Sequence, residues 1–359
     1  MSERFVHGGN IYHEPSVTGK WLDFSANINP FGLATEVRQA IADNIDGLVH
    51  YPDPEARELK AALAAHYQVP EKSLVLGNGA AELFYLFMNT VRPRRVMIPV
   101  PSFSEYERSA MAAQAEIVYF YLQEASGFQV DVQALAQAAR EERCDAIVLG
   151  NPNNPTGCLL GQEEIENLLS SLPDRIWLLV DESFMDFLEE PEPYTVRRLV
   201  EKWDNIAVVQ SLTKFYALPG LRLGFGIAPL KLAQRLEMGK DVWNVNLLAQ
   251  KAGAAALAQT AYAQKTRQWL RAEQKYLTEQ LAKHTNWKIY APTVNFLLAR
   301  LPNPKGPAVA EGLRFQGVLV RDCSNYPGLD EHYLRLAVRG HQENKQFLQA
   351  LKESGVGIW

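Results

Sequence analysis

The chain has 359 residues, a length that suits two unequal domains better than one simple core. Hydrophobic residues make up 47% of it and charged residues 21%, values typical of globular enzymes. The formal net charge of −5 argues against a nucleic-acid partner, because proteins that track phosphate backbones carry a basic excess.

Seven short apolar runs in the first two thirds of the chain predict the strands of one sheet. They lie at 74–76, 96–99, 117–121, 146–149, 177–180, 206–209 and 223–227. Helical patterns such as 131–143 and 162–172 separate them. Because the runs are apolar at successive positions, we expect a mostly parallel sheet with helices on both faces. The large domain is therefore predicted to be α/β.

The pattern changes after about residue 250. A long helical stretch at 247–284 precedes weak strands near 294–298 and 318–320 and a closing helix from Gln342, while the proline-rich segment 301–307 predicts a loop. These elements suit a smaller α+β domain. We expect an N-terminal arm at 1–40 that joins the small domain, a large domain at 41–250 and a small domain at 251–359.

The sequence shows no membrane or secretion signal. The first residues lack a signal-peptide core and the longest apolar runs are too short to span a bilayer, so we expect a cytoplasmic protein with no membrane partner. Three scattered cysteines, Cys144, Cys158 and Cys323, lack metal-ligand spacing. They predict reduced thiols, with neither a disulfide framework nor a metal site.

Polar residues directly follow several of the predicted strands, where ligands bind in this class of fold. After the first run, the glycine turn at 77–82 opens a helix whose free amides suit a phosphate. The proline-stiffened loop at 150–157 can hold an asparagine side chain rigidly, and Asp181 directly follows the fifth run. The sixth run is followed by Ser211, Lys214 and Arg222.

A lysine amine, a buried carboxylate and a phosphate cradle at one sheet edge are what pyridoxal phosphate requires. Two rival patterns fail. The P-loop pattern G-x-x-x-x-G-K-[ST] is missing, and Glu82 stands where a dinucleotide fingerprint needs its third glycine. A nucleotide-binding α/β protein without pyridoxal phosphate stays as the weakest alternative.

These motifs resemble those of the fold-type I pyridoxal-phosphate enzymes, the aspartate aminotransferase superfamily. Within it the chain is most similar to the L-threonine-O-3-phosphate decarboxylases of cobalamin biosynthesis, close relatives of histidinol-phosphate aminotransferases. The narrower likeness is carried by the segment around Lys214 and by stretches at 7–10, 23–30, 51–53 and 321–329, and so covers nearly the whole chain. It implies a large domain with a mostly parallel seven-stranded sheet and a smaller α+β domain.

The resemblance assigns cofactor roles to residues near the strand ends. It makes Lys214 the Schiff-base lysine, Asp181 the partner of the pyridine nitrogen and Asn154 the donor to the phenolic oxygen. Phe103 is expected to stack on the cofactor ring, with Tyr106 as the alternative. The residues expected at the cofactor phosphate are Ala80 and Ala81 through their backbone amides, Ser211, Thr213 and Arg222.

The resemblance also implies a phosphorylated amino-acid substrate and a homodimer with shared active sites. Arg335 matches the arginine that grips the substrate carboxylate. Tyr51 is expected to reach the cofactor phosphate of the neighbouring subunit. The remaining residues expected in the substrate pocket are His7, Asn29, Arg321 and Arg339.

The implied reaction is decarboxylation of L-threonine O-3-phosphate to (R)-1-amino-2-propanol O-2-phosphate and CO2. The runner-up is amino-group transfer to 2-oxoglutarate by a histidinol-phosphate aminotransferase. Aminotransferases of this superfamily usually place a tyrosine three residues after the aspartate, whereas this chain has Phe184. That departure favours the lyase over the transferase.

Overall fold

A computed structural model describes residues 5–12 and 19–355 of the chain. The strands are β1 (Leu22–Asp23), β2 (Leu74–Gly77), β3 (Arg95–Val100), β4 (Glu116–Tyr121), β5 (Ala146–Gly150), β6 (Trp177–Asp181), β7 (Ile206–Ser211), β8 (Gly224–Ile227), β9 (Lys288–Ile289), β10 (Phe296–Arg300), β11 (Val318–Leu319), β12 (Arg321–Asp322) and β13 (Tyr333–Ala337). The α-helices are α1 (Thr35–Ala42), α2 (Arg57–Tyr67), α3 (Ala80–Val91), α4 (Ser104–Ala112), α5 (Val132–Glu141), α6 (Gln162–Ser171), α7 (Leu212–Phe215), α8 (Leu230–Gly239), α9 (Leu247–Leu257), α10 (Thr260–His284), α11 (Gly306–Phe315) and α12 (His341–Glu353).

The seven predicted strands form one sheet in the order β2-β8-β7-β6-β5-β3-β4. Only β8 runs antiparallel to its neighbours, and every other neighbouring pair is parallel. The predicted α/β class with a mostly parallel seven-stranded sheet is therefore confirmed. The sheet places the ends of β5, β6 and β7 side by side, where polar residues follow each strand.

Alternate residues of the strands face two different helix layers. On β7, Ile206 and Val208 lie in the apolar cluster formed with α2, α5, α6 and α9, whereas Ala207 and Val209 lie in the cluster with α3, α4 and α8. Successive side chains of a strand point to opposite faces of the sheet. The double covering therefore explains why the strands are apolar at every position.

The second part of the chain builds an antiparallel sheet in the order β12-β13-β10-β9. The N-terminal segment lies against it, because the Ala337 amide of β13 donates to the Phe24 carbonyl at 2.9 Å. The strands β1 and β11 pair in parallel in a separate two-stranded sheet. The predicted arm and domain boundaries stay predictions.

Three expectations for the second part need correction. The helical stretch at 247–284 is two helices, α9 and α10, because residues 258–259 leave the helical conformation. The proline-rich segment ends in α11, which has its proline in the first turn, where the missing amide hydrogen costs nothing. The strands β9, β12 and β13 were not predicted, because the first two have only two residues each and the charged Arg335 interrupts the apolar run of the third.

None of the helices in the described ranges is both long enough and apolar enough to span a lipid bilayer.

Substitution of Phe24 tests how much the packing of the N-terminal segment on the small sheet contributes to stability. Its side chain is fully buried and its ring stacks on that of Phe347, with centroids 4.7 Å apart. We expect Phe24→Ala to lower the free energy of unfolding by about 3–5 kcal/mol, because it opens a cavity in the core. Urea denaturation measures the loss.

Phe315→Ala is the matched control for this change, since that phenylalanine is 69% exposed. We expect it to change the free energy of unfolding by no more than about 0.5 kcal/mol. Equal losses for the two variants would contradict the packing described here.

Candidate active site

A cavity of about 390 Å³ opens where the polar ends of the parallel strands meet the small sheet and the N-terminal segment. Its walls bring together thirteen of the sixteen residues expected at the site. They are His7, Ala80, Ala81, Phe103, Tyr106, Asn154, Asp181, Ser211, Thr213, Lys214, Arg222, Arg321 and Arg335.

Lys214 lies in α7, the single helical turn that directly follows β7. The turn begins at Ser211, whose hydroxyl accepts a hydrogen bond from the Thr213 amide. Burial, together with repulsion from Arg335 and Arg222, lowers the pKa of the Lys214 amine to about 8, although Asp181 acts in the opposite direction. A substantial fraction of the amine is therefore neutral and nucleophilic near neutral pH.

Asp181 ends β6 and is held by two hydroxyl donors. Tyr106 donates to Oδ2 at 2.6 Å, and both the hydroxyl and the amide of Ser183 donate to Oδ1. Burial raises the pKa of Asp181 even though these hydrogen bonds act to lower it. The carboxylate is thus fixed in direction, as the partner of a cationic ring nitrogen has to be.

The hydrogen bond between Tyr106 and Asp181 distinguishes the two candidates for ring stacking, Phe103 and Tyr106. Tyr106 is 1% exposed and commits its hydroxyl to Asp181, whereas Phe103 lies half-buried at the cavity wall, with its ring centroid 5.7 Å from that of Tyr106. The arrangement therefore favours Phe103 as the residue that presents a ring face to a ligand. Tyr106 instead positions the carboxylate.

The first turn of α3 forms a cradle that only glycine permits. Gly79 has φ +81°, and a Cβ there would lie 2.3 Å from Nη2 of Arg222. A Cβ on Gly224 would lie 2.5 Å from the amide nitrogen of Ala80. The Arg222 guanidinium, the exposed end of α3 and the paired hydroxyls of Ser211 and Thr213, 2.7 Å apart, line the same cavity. This donor set suits a phosphate group.

Arg335 projects from β13 of the small sheet and is nearly buried. Its Nη1 donates to Oδ1 of Asn154 at 2.6 Å, and its Nη2 donates to the Ser25 carbonyl. Its Nε has no hydrogen-bond partner within the described ranges. Because Oδ1 of Asn154 is occupied, the amide group of that side chain has its Nδ2 left to donate to a ligand.

Two expected substrate contacts are not supported. Asn29 is 2% exposed, and its Nδ2 donates to the Phe215 carbonyl at 2.9 Å and to Oγ1 of Thr266 at 2.8 Å. Its own amide donates to the Lys214 carbonyl at 3.1 Å, so Asn29 braces the lysine turn from behind. In the same stretch it is Asn27 that lines the cavity.

Arg339 also lies away from the cavity wall. Its Nη2 pairs with Glu343 at 2.8 Å, and its Nη1 donates to the Ile28 carbonyl at 3.3 Å. These bonds fasten the start of α12 to the N-terminal segment. Arg339 thus has a bracing role in this arrangement, and its predicted contact with substrate has no support.

Tyr51 does not reach the cavity of its own chain. It is 76% exposed and its ring stacks on that of Trp243, with centroids 4.2 Å apart. Its predicted contact needs a second subunit and stays a prediction.

Some cavity residues were missed by the sequence analysis. Ser183 follows Asp181 by two residues, and both Glu105 and Arg108 follow Phe103 on α4. Their separation of three residues places Glu105 and Arg108 on one face of the helix. That spacing, beside a residue already singled out, was the signal that could have found them.

The match with known proteins identifies the family. Residues 19–351 match the aminotransferase class I and II family. The chain belongs to this family. It is 38% identical to the threonine-phosphate decarboxylase of Salmonella typhimurium over 365 residues, which covers 98% of this chain and 97% of that protein.

Solved structures of two activities resemble the chain. L-threonine-O-3-phosphate decarboxylase from Porphyromonas gingivalis has a TM-score of 0.81 and 27% identity, covering 92% of this chain and 98% of that one. Histidinol-phosphate aminotransferase from Clostridium acetobutylicum has a TM-score of 0.85 and 30% identity, with the same two coverages. The backbone alone therefore does not separate a family member that releases CO2 from one that transfers an amino group.

The Lys214 amine gives this family member a measurable pH dependence. We expect capture of an aldehyde by Lys214 in the cofactor-free protein to rise with pH through a midpoint near 8, because only the neutral amine attacks a carbonyl. Borohydride trapping followed by peptide mass spectrometry measures the labelled fraction, and Lys214→Ala gives the background. A midpoint near that of a free lysine, about 10.4, would contradict the electrostatics described here.

Proposed function

We propose that this protein is a pyridoxal phosphate-dependent lyase that converts L-threonine O-3-phosphate to (R)-1-amino-2-propanol O-2-phosphate and CO2. The observation that carries the proposal is the identity of 38% to a threonine-phosphate decarboxylase over nearly the full length of both chains. The cavity adds support, because it lies beside a lysine amine and holds cations for two anionic groups. A place in cobalamin biosynthesis follows from the same resemblance.

The cavity fits pyridoxal phosphate. Lys214 would hold it covalently, Asp181 would pair with its ring nitrogen and Asn154 with its phenolic oxygen. The phosphate would lie in the cradle of Gly79, the Ala80 and Ala81 amides, Ser211, Thr213 and Arg222. When bound, the cofactor supplies an electron-withdrawing ring that weakens the bonds at the substrate α carbon.

The chain's own residues would select the bond that breaks. Arg335 offers a guanidinium to the substrate carboxylate. Arg321, its neighbour across β12 and β13, and His7 line the same cavity and would bind the phosphate. Holding both ends fixes the rotation of the substrate about its α carbon. With a pKa of about 8, the Lys214 amine can then return a proton to that carbon once CO2 has left.

Phe184 favours the lyase over an aminotransferase. It lines the cavity beside Asp181, and its ring packs edge-on against Phe296 with centroids 5.0 Å apart. It therefore offers no hydroxyl where the aminotransferases of the superfamily usually place one. Histidinol-phosphate aminotransferase activity is the alternative, and membership of the family argues against a nucleotide-binding protein without pyridoxal phosphate.

We further propose a homodimer with shared active sites and a cytoplasmic location. The support for the dimer is a set of exposed apolar residues in two segments that the Tyr51–Trp243 stack connects, since exposed apolar surface marks interfaces. They are Ile45, Leu48, Val49, Tyr51, Val242 and Trp243. The cytoplasmic location rests on the sequence prediction alone.

The reaction can be tested directly on the holoenzyme. We expect CO2 release from O-phospho-L-threonine at the same rate with and without 2-oxoglutarate, because a lyase needs no amino-group acceptor. Assays of CO2 and of glutamate measure the two outcomes, and Lys214→Ala is the inactive control. Glutamate formed from histidinol phosphate, with no CO2 from phosphothreonine, would assign the protein to the aminotransferases.

The shared site can be tested by complementation. Mixed dimers of Tyr51→Phe and Lys214→Ala protein contain one site free of both changes, so mixing after unfolding and refolding should restore part of the lost activity. Each variant refolded alone is the control. Full activity of Tyr51→Phe by itself, no recovery on mixing, or a monomer in sedimentation would each contradict the proposal.

A further inference from the structure

Glu105 and Arg108 form an ion pair on α4 at the cavity mouth, and Glu105 also contacts His7. Oε1 of Glu105 pairs with Nε2 of His7 at 2.8 Å and with Nη1 of Arg108 at 3.4 Å. Oε2 accepts a hydrogen bond from the Tyr85 hydroxyl at 3.3 Å. Glu105 is 7% exposed, while the side chains of His7 and Arg108 are 37% and 42% exposed. One nearly buried carboxylate thus anchors an accessible guanidinium and an accessible imidazole.

The simplest explanation for Glu105 is structural, since acidic residues stabilise the first turn of a helix. That explanation does not account for the two side chains, Arg108 and His7, that Glu105 holds. A solvent-exposed carboxylate would stabilise the first turn of the helix equally well. A carboxylate as buried as Glu105 instead loses most of its hydration. Because Glu105, His7 and Arg108 all line the cavity, the cluster faces the ligand space.

Arg321 has few donors left for a ligand. Its Nη2 donates to the Val6 carbonyl at 2.8 Å and to Oδ1 of Asn325 at 2.7 Å, and its Nη1 donates to the Asp322 carbonyl. These bonds fasten the N-terminal segment over the cavity and so bring His7 to Glu105. Arg321 therefore positions His7 as well as adding positive charge.

Arg108, in contrast to Arg321, uses few of its N–H donors within the described part of the protein. Within the described ranges its guanidinium donates one long hydrogen bond, to Glu105, and its Cζ lies 6.0 Å from the ring centroid of Phe5. Arg108 also lines the cavity that would hold the substrate. A guanidinium with free donors is well matched to phosphate oxygens.

We propose that Arg108 is a further specificity-determining residue, which binds the phosphate of the substrate, and that Glu105 is the positioning residue that holds Arg108 and His7 at the cavity mouth. This inference rests on the proposed function. Glu105 then holds Arg108 and His7 at the wall of a cavity that Arg321 also lines. The two guanidinium groups outnumber the one carboxylate, and their positive charge complements a phosphate group, which carries about −1.5 to −2 charges.

Binding of two amines that differ only in the phosphate group tests Arg108. They are 1-amino-2-propanol O-phosphate and 1-amino-2-propanol, titrated into the holoenzyme by calorimetry. We expect Arg108→Gln to raise the dissociation constant of the phosphorylated ligand roughly tenfold, as for loss of a charged hydrogen bond. The dissociation constant of the unphosphorylated ligand should change by no more than about twofold. Arg108→Lys keeps the charge and should recover part of the loss.

Arg271→Gln is the matched control for Arg108. This arginine also lies on a helix and pairs with a glutamate, Glu189, at 3.3 Å, but it is outside the cavity wall. We expect it to leave the dissociation constants of both ligands unchanged. Equal weakening of both ligands by Arg108→Gln, or no weakening of either, would overturn the role of Arg108.

Glu105→Gln distinguishes a positioning role of Glu105 from a purely electrostatic one, because the two roles change the affinity for the phosphorylated amine in opposite directions. If Glu105 were only a negative charge near the ligand, its removal would tighten binding of the phosphorylated amine. If Glu105 positions Arg108 and His7, its removal weakens binding of the phosphorylated amine alone. Glu105→Asp should then retain more of the affinity for that amine than Glu105→Gln does. Tighter binding by Glu105→Gln would overturn the positioning role.

These binding outcomes do not depend on CO2 release. A holoenzyme that prefers the phosphorylated amine through Arg108 but releases no CO2 from phosphothreonine would refute the proposed reaction and keep the phosphate site. A wild-type holoenzyme with no preference for the phosphorylated amine would refute the phosphate site whatever reaction it catalyses.

Discussion

A buried guanidinium holds together the three parts of the chain that form the cavity. Arg335 comes from the small sheet, yet its hydrogen bonds end on Asn154 of the large domain and on Ser25 of the N-terminal segment. A buried charge is costly unless its partners are well placed, so these partners constrain where the two sheets can meet. The cavity exists at that meeting point, and the positions of its other residues follow from it.

The cavity also concentrates positive charge in a protein whose formal net charge is −5. A cleft lined by one sign of charge attracts ligands of the other sign. The same cations act on the lysine, since Arg335 and Arg222 repel a proton from Lys214 and help burial to lower its pKa. One electrostatic arrangement thus favours an anionic ligand and increases the neutral fraction of the Lys214 amine.

Much of the fold was predictable because its signals are local. Each buried strand of the large sheet is a short apolar run ended by polar or glycine residues, so all seven could be found without knowing their order. The small sheet was harder to predict, because β12 has two residues and the charged Arg335 interrupts the apolar run of β13. The pairing of β1 with β11 joins residues about three hundred positions apart, which no periodicity reveals.

The sequence by itself placed Lys214 and Asp181 at the cavity, since both stand directly after buried strands and strand ends share one edge of a parallel sheet. Only the tertiary structure decided the roles of residues in irregular segments. Asn27 faces the cavity while Asn29 braces the lysine turn, because a segment without a period gives no rule for which side chain points inward. Likewise, Glu105 contacts both Arg108 and His7 only because the folded N-terminal segment brings His7, ninety-eight positions away, to α4.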